Sequence, residues 1–310
     1  MAYTRTPANS IASIIILSII AACGKAPDKS AVTARVSDSE NLPIKVVTVN
    51  YPLAYFAERI GGEMIEAAYP GPQNIDPVYW QPDTSTILAY QKADLIVLNG
   101  AGYAGWTKQV SLPVNKQLDT SDAFTNLLIP ITDNVVHTHG PGGEHVHDDL
   151  AATVWLDPEL AKLQATSIHD TLITLLPDKA EIMDANLIAL ADDLWTLDEE
   201  LARAFKYRNR DQVIYSHPVY QYLDRRYDLD GMTLHWEPDE IPSEEGFAKL
   251  ADKQGAVMIW EAEPLPEMIT RIEAMGISIA VFKTSATTPD SGDYLSVMQA
   301  NLQRLKPALL

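Results

Sequence analysis

Cysteine is nearly absent: one residue in 310, Cys23. That excludes a disulfide framework and any zinc knuckle built on thiolates. Basic residues are scarce too. There are 23 Lys and Arg against 42 Asp and Glu, for a formal net charge of -19. So acidic a surface repels nucleic acid and anionic lipid headgroups, and attracts cations at long range. No apolar run reaches the ~20 residues that a membrane-spanning helix needs. No His-Glu-x-x-His or Gly-x-Ser-x-Gly segment occurs, so two common hydrolase signatures are missing. No internal repeat at solenoid spacing appears. What the chain does have is 46% hydrophobic residues, enough to build a core.

The single cysteine sits in a telling place. Arg5 lies in a short polar start, and Ile11 to Ile20 is apolar. Ile20-Ala21-Ala22-Cys23 follows, a branched aliphatic, two small residues and Cys. This reads as a signal peptide over residues 1–22 ending in a lipobox, with Cys23 as the lipidated first residue of the exported protein. Residues 23–41 are small and polar, as a tether to the lipid bilayer would be.

Beyond Pro43, strand-like and helix-like segments alternate. Ile44 to Val49 is β-branched and bounded by Pro and Asn, so it reads as a strand. Pro52 to Ile60 has helical spacing and stops at Gly61-Gly62. Met64 to Tyr69 and Leu95 to Leu98 read as strands, with a helix capped by Asp83 or Ser85 between them. A second α/β series runs through strands at Val213, Met232, Val257 and Ile277, and closes in a helix from Tyr294 to Leu305. Between the two series, Ile182, Leu187, Leu190, Leu194, Leu197, Leu201 and Phe205 keep steps of mostly three and four. That is one amphipathic helix of about 28 residues, roughly 40 Å long. The expected fold is α/β: two lobes with mainly parallel sheets, at residues 42–176 and 211–310, joined by one long rigid helix over 177–210.

Four of the seven histidines, His137, His139, His145 and His147, fall in one glycine-rich loop within 137–149. Imidazole is the commonest neutral ligand for zinc and its neighbours. Other candidates follow from position, because ligands of open α/β sheets bind at the carboxyl ends of strands. That test selects His217, then His235 and Glu237, then Glu261 and Glu263, then Lys283, and in the first lobe Asn50 and Asn99. His169 falls in a helix from Pro158 to Leu175 and is expected to be exposed. Trp80, Trp155, Trp236 and Trp260 are expected to pack rather than bind.

Several motifs together resemble a family. They are Tyr51-Pro52-Leu53, Asp76-Pro77 with Trp80 and Pro82, Gln91 to Val97, and Trp155-Leu156-Asp157-Pro158. Ser216-His217-Pro218 with Tyr222-Leu223, and Asp293-Tyr294-Leu295 with Met298 and Asn301-Leu302, complete them. In these the chain resembles the zinc- and manganese-binding lipoproteins of bacterial ABC importers, from Ile44 to the C-terminus. The resemblance implies two α/β lobes and a long helix, with no catalysis. It implies capture of a transition metal, zinc first and manganese or iron next, by a monomer that delivers it to an ABC permease.

The resemblance also implies ligands that this chain lacks. The family's His after Asp-Pro is Val78 here, its His before the Trp-Leu-Asp-Pro segment is Thr153, and its C-terminal carboxylate aligns with Lys283. Only His217 matches. Three outcomes stay open. His139, His145 or His147 with His235, Glu237 and Glu261 supply replacement ligands; or the cargo is a metal complex or another small solute; or metal binding is lost. An exported metal-dependent hydrolase is the alternative from another class.

Overall fold

The computed structural model describes residues 43–131, 150–208 and 212–310. Residues 42–310 form one compact unit. Signal segment, tether, Cys23 and the histidines at 137, 139, 145 and 147 lie outside the described residues.

The first sheet is built by β1 (Ile44–Thr48), β2 (Ile65–Ala68), β3 (Leu95–Leu98) and β4 (Gln117–Asp119), in spatial order β2-β1-β3-β4 and wholly parallel. Its crossovers include α1 (Tyr51–Gly61) and α2 (Thr84–Lys92). Each starts where a side chain satisfies a free backbone N–H: Asn50 accepts from Leu53 N, and Asp83 from Thr86 N. Gly62, at φ 51°, closes α1 in a backbone region that disfavours any residue with a Cβ.

The second sheet repeats the plan. β5 (Val213–Tyr215), β6 (Met232–Thr233), β7 (Val257–Trp260) and β8 (Ser278–Val281) lie in the order β6-β5-β7-β8, again all parallel. Val257 to Trp260 are all buried, as expected of a strand covered on both faces. Its short helices are α5 (Gln221–Tyr227) and α7 (Pro266–Ala274). The helix expected from Ser243 to Lys253 is only Glu244–Ala248, here α6. From Lys249 onward the bonds run three residues back, Leu250 N to Phe247 O and Lys253 N to Leu250 O, so the chain tightens into successive turns. The last helix, α8 (Tyr294–Leu309), continues past its expected end because Ala308 and Leu309 are buried, which holds the final turn despite Pro307.

The long helix is present. A 3-10 turn at Pro177–Lys179 leads into α4, Ala180–Lys206. Its buried stripe is Met183, Leu190, Leu194, Leu197, Asp198, Leu201 and Phe205. This stripe faces α1, α8 and a further helix, α3 (Pro158–Leu175), so elements of both sheets share one core. Here one expectation fails. His169 is buried, because the face of α3 that carries it packs against α4. Its two ring nitrogens each lie 2.9 Å from a carboxylate, Asp170 and Asp184. The four tryptophans do pack. Trp155 and Trp260 are fully buried, Trp236 lies against Phe247 and Trp260, and Trp80 against Tyr69 and Trp106.

Polar links stitch the two halves together. Trp155 Nε1 donates to Thr284 O at 2.7 Å, Tyr294 OH to Trp155 O at 2.7 Å, and Tyr222 OH to Ala151 O at 3.0 Å. A buried charge centre sits behind them. Arg226 on α5 grips Asp198 of α4 through two bonds, Tyr227 OH donates to the same carboxylate, and Asp157 lies 3.9 Å from Arg226 Nε. Asp198 and Asp157 are both only 5% exposed; Asp157 also lies 3.7 Å from Arg225 and accepts from Glu159 N, so it is Asp198 that depends most on the Arg226 guanidinium. Arg226→Ala is therefore expected to lose about 3–5 kcal/mol, the range for orphaning a buried charge. Thermal unfolding by circular dichroism measures it; a melting temperature within a degree of wild type would show that water already screens the pair.

Candidate metal centre

In each sheet the strand order reverses between its two central strands, β1 and β3 in the first, β5 and β7 in the second. The connections leave in opposite directions there, and a crevice opens at the carboxyl ends. The two crevices are filled differently. In the first sheet Asn50 follows β1 and Asn99 follows β3, and both are fully buried. Asn50 Nδ2 donates to Asn99 Oδ1 at 3.2 Å, Asn99 Nδ2 donates to Ala152 O, and Gln164 Nε2 also donates to Asn99 Oδ1. This crevice is closed by neutral amides that bond to one another.

The second crevice holds charge. His217 stands two residues beyond β5 and is 8% exposed, and Glu261 directly follows β7. Glu237, four residues beyond β6, completes the group. One donor atom from each of His217, Glu237 and Glu261 lies within 4.8 Å of the others. His217 Nδ1 is 3.5 Å from a Glu237 oxygen. Four-coordinate zinc with ligands at about 2.0–2.2 Å sets ligand atoms about 3.4 Å apart. The trio therefore needs to draw in by about an ångström, within the reach of side-chain rotation.

Electrostatics marks the same place. The Glu261 carboxyl is pushed up to about 7, first by burial, then by the charges of Asp76 and Glu237. Asp76 is raised by its own burial, although its Oδ1 accepts from Val78 N at 2.9 Å. The Tyr79 phenol is pushed up by desolvation and by Asp76, Glu237 and Glu261 together. Three carboxylates thus converge around one imidazole and one phenol, and a cation is what such a site favours. Asp76 and Tyr79 were not selected as site residues from the sequence. They come from the loop after β2, and the only available signal was the position of Asp76 in the Asp-Pro motif.

The other candidates separate from this group. His235 is exposed; its ring centroid lies 6.3 Å from that of His217, and among the described residues it does not join the trio. Glu263 is exposed. At the positions where the resemblance implies ligands, Val78 packs on the core and the Thr153 hydroxyl donates to Val219 O. Lys283 is exposed, with its backbone bonded to Asn301.

The trio, Asp76, Tyr79, His235, Val78, Thr153 and Lys283 line one cavity of about 1210 Å³ between the carboxyl ends of the two sheets, walled by both halves of the chain.

Comparison with known proteins places this architecture. A family model described as ZnuA, zinc-uptake complex component A, periplasmic, matches residues 46–308. The zinc-binding lipoprotein AdcA of Streptococcus pneumoniae is 24% identical over 276 residues, covering 85% of this chain and 55% of that protein. The chain thus spans about half the length of the curated relatives it matches first. The metal ABC transporter substrate-binding lipoprotein FimA of Streptococcus parasanguinis is 25% identical, covering 86% of this chain and 89% of its own. Among solved structures, the metal-dependent lipoprotein YcdH of Bacillus subtilis superposes with a TM-score of 0.73 at 23% identity, over 86% of this chain and all of its own. Zn(II)-bound AdcA gives 0.72 at 21% identity, over 86% and 58%. At such identities the superpositions speak for the fold, and the matched family model carries the assignment: the chain belongs to the ZnuA family of periplasmic zinc-uptake components.

Proposed function

We propose that this protein is an extracytoplasmic solute-binding protein that captures zinc between its two lobes and delivers it to an ABC permease. The observation that carries the reading is the convergence of His217, Glu237 and Glu261 at the switch point of the second sheet. Zinc-binding relatives of the same fold support the choice of metal. An oxygen-rich set with a single imidazole also admits manganese or iron. Binding suffices for this role, and no catalytic step is assigned. Residues 42–176 and 211–310 act as the lobes and 177–210 as their link. Residues 1–22 direct export, 23–41 serve as tether, and acylated Cys23 holds the protein on a membrane as a monomer.

Three results are expected. Zinc titrated calorimetrically into the metal-free protein binds one to one. His217→Ala weakens it by about 100-fold or more, beyond the 10–100-fold typical of changes around a ligand. Unchanged affinity in that variant would remove the second sheet from the site.

Glu261→Gln separates binding from stability. The raised carboxyl means that folding opposes its charge, so its destabilising effect is absent below the unfolded value near 4.5 and full above about 7. At pH 8 the metal-free variant is expected to melt about 2–5 °C above wild type, corresponding to about 1–2 kcal/mol. The gap should vanish as pH falls towards 5, and zinc binding should be lost. A variant less stable at pH 8 would show that the carboxylate is held by favourable contacts instead.

Anchoring is tested by Cys23→Ala. Membrane fractionation and N-terminal mass should show loss of lipid and release to the soluble fraction; unchanged partitioning would exclude Cys23 as the anchor.

A further inference from the structure

The cavity between the sheets is far larger than a bare ion needs. One zinc ion with its water needs a few tens of cubic ångströms, and the cavity offers about 1210 Å³, somewhat more than the ~300–1,000 Å³ of pockets for organic ligands. The protein donors that converge number three, and zinc takes four or more ligands. One position is thus left for a group that the trio does not supply.

The cavity also carries charge of both signs. Its acidic residues are Asp76, Glu237, Asp239, Glu261 and Asp290. Lys283 and Arg304 line the same cavity from the end of β8 and from α8. They are placed by a shared anchor. Asn301 is fully buried; its Oδ1 accepts from Lys283 N at 3.0 Å and from Arg304 Nη1 at 3.2 Å, and its Nδ2 donates to Lys283 O at 2.8 Å. In a chain where acids so outnumber bases, two cations at this wall are notable. They repel a free divalent ion and attract a carboxylate.

We infer that the cargo enters as a zinc complex with a small carboxylate chelator, of the α-hydroxy or α-amino acid class. His217, Glu237 and Glu261 take the metal, and Lys283 and Arg304 meet the chelator's free carboxylate. This rests on the zinc reading above and adds the second half of the ligand. No bond other than metal coordination forms, and charge balances: the two glutamates offset the divalent ion, and Lys283 and Arg304 offset the chelator's anionic charge.

Native mass spectrometry of the metal-free protein tests it, with zinc alone, zinc plus citrate, and zinc plus L-histidine as probes. The expected result is a ternary protein–zinc–chelator mass in at least one chelator arm. In the double variant Lys283→Gln with Arg304→Gln, the ratio of ternary to zinc-only species should fall by about tenfold or more. Arg304→Lys, which keeps the charge, should retain most of the ternary species and guards against a folding defect. Zinc without chelator in every arm would overturn the inference and leave the zinc reading standing. A ternary species indifferent to the double variant would overturn the role of the two cations. No zinc in any arm would fail the underlying reading as well.

Discussion

A parallel sheet whose strand order reverses must leave a gap between two carboxyl ends, and no hydrogen bond of the sheet can fill it. This molecule has two such gaps, and its chemistry follows from how each is filled. Asn50 and Asn99 occupy the first. Their amides donate and accept within the protein, so the gap becomes a neutral joint beneath α1 and α3. His217 and Glu261 occupy the second, where a ring nitrogen and a carboxylate converge with Glu237. The two halves are alike in topology and differ in which of them leaves its crevice chemically open.

That openness has a cost in the metal-free state. Burying Glu261 near Asp76 and Glu237 raises its proton affinity. Stability must come from elsewhere, and the structure shows where. The stripe of α4 buries aliphatic side chains against both halves, and Arg226 binds Asp198 in the same core. A helix continuous over 27 residues resists bending between its ends. The halves are thereby held at a fixed spacing while their facing edges remain charged and wet.

Much of this was legible in the sequence, for reasons that can be named. Strands β1, β3, β5 and β7 are central, so they are runs of β-branched and aliphatic residues bounded by polar ones. The α4 stripe repeats every three or four residues. Edge elements were harder. Gln117-Leu118-Asp119 is three part-exposed residues long, with no alternation to read, and only pairing with β3 makes it a strand. His169 was misread because helical periodicity tells which residues share a face but not which neighbour covers it. At the site, strand ends pointed to His217, Glu237 and Glu261, whereas the same rule also offered His235, Glu263 and Lys283. Position along the chain fixes the edge at which a side chain emerges. The rotamer and the local turn decide whether it reaches its neighbours, and Asp76 arrives from a loop with no periodic signal at all.

The replacements at 78, 153 and 283 have a structural consequence beyond lost ligands. In the arrangement that the family resemblance implies, donors come from both halves, so the metal itself bridges them. Here the three convergent donors all follow strands of one sheet. The first half contributes Asp76 and Tyr79 as the facing side of the cavity. The bridging that a metal would otherwise do is taken over by fixed contacts. Thr153, at one former ligand position, bonds Val219 across the interface, and the neighbouring Trp155 bonds Thr284 just beyond Lys283. These contacts hold the two halves together around the cavity they share.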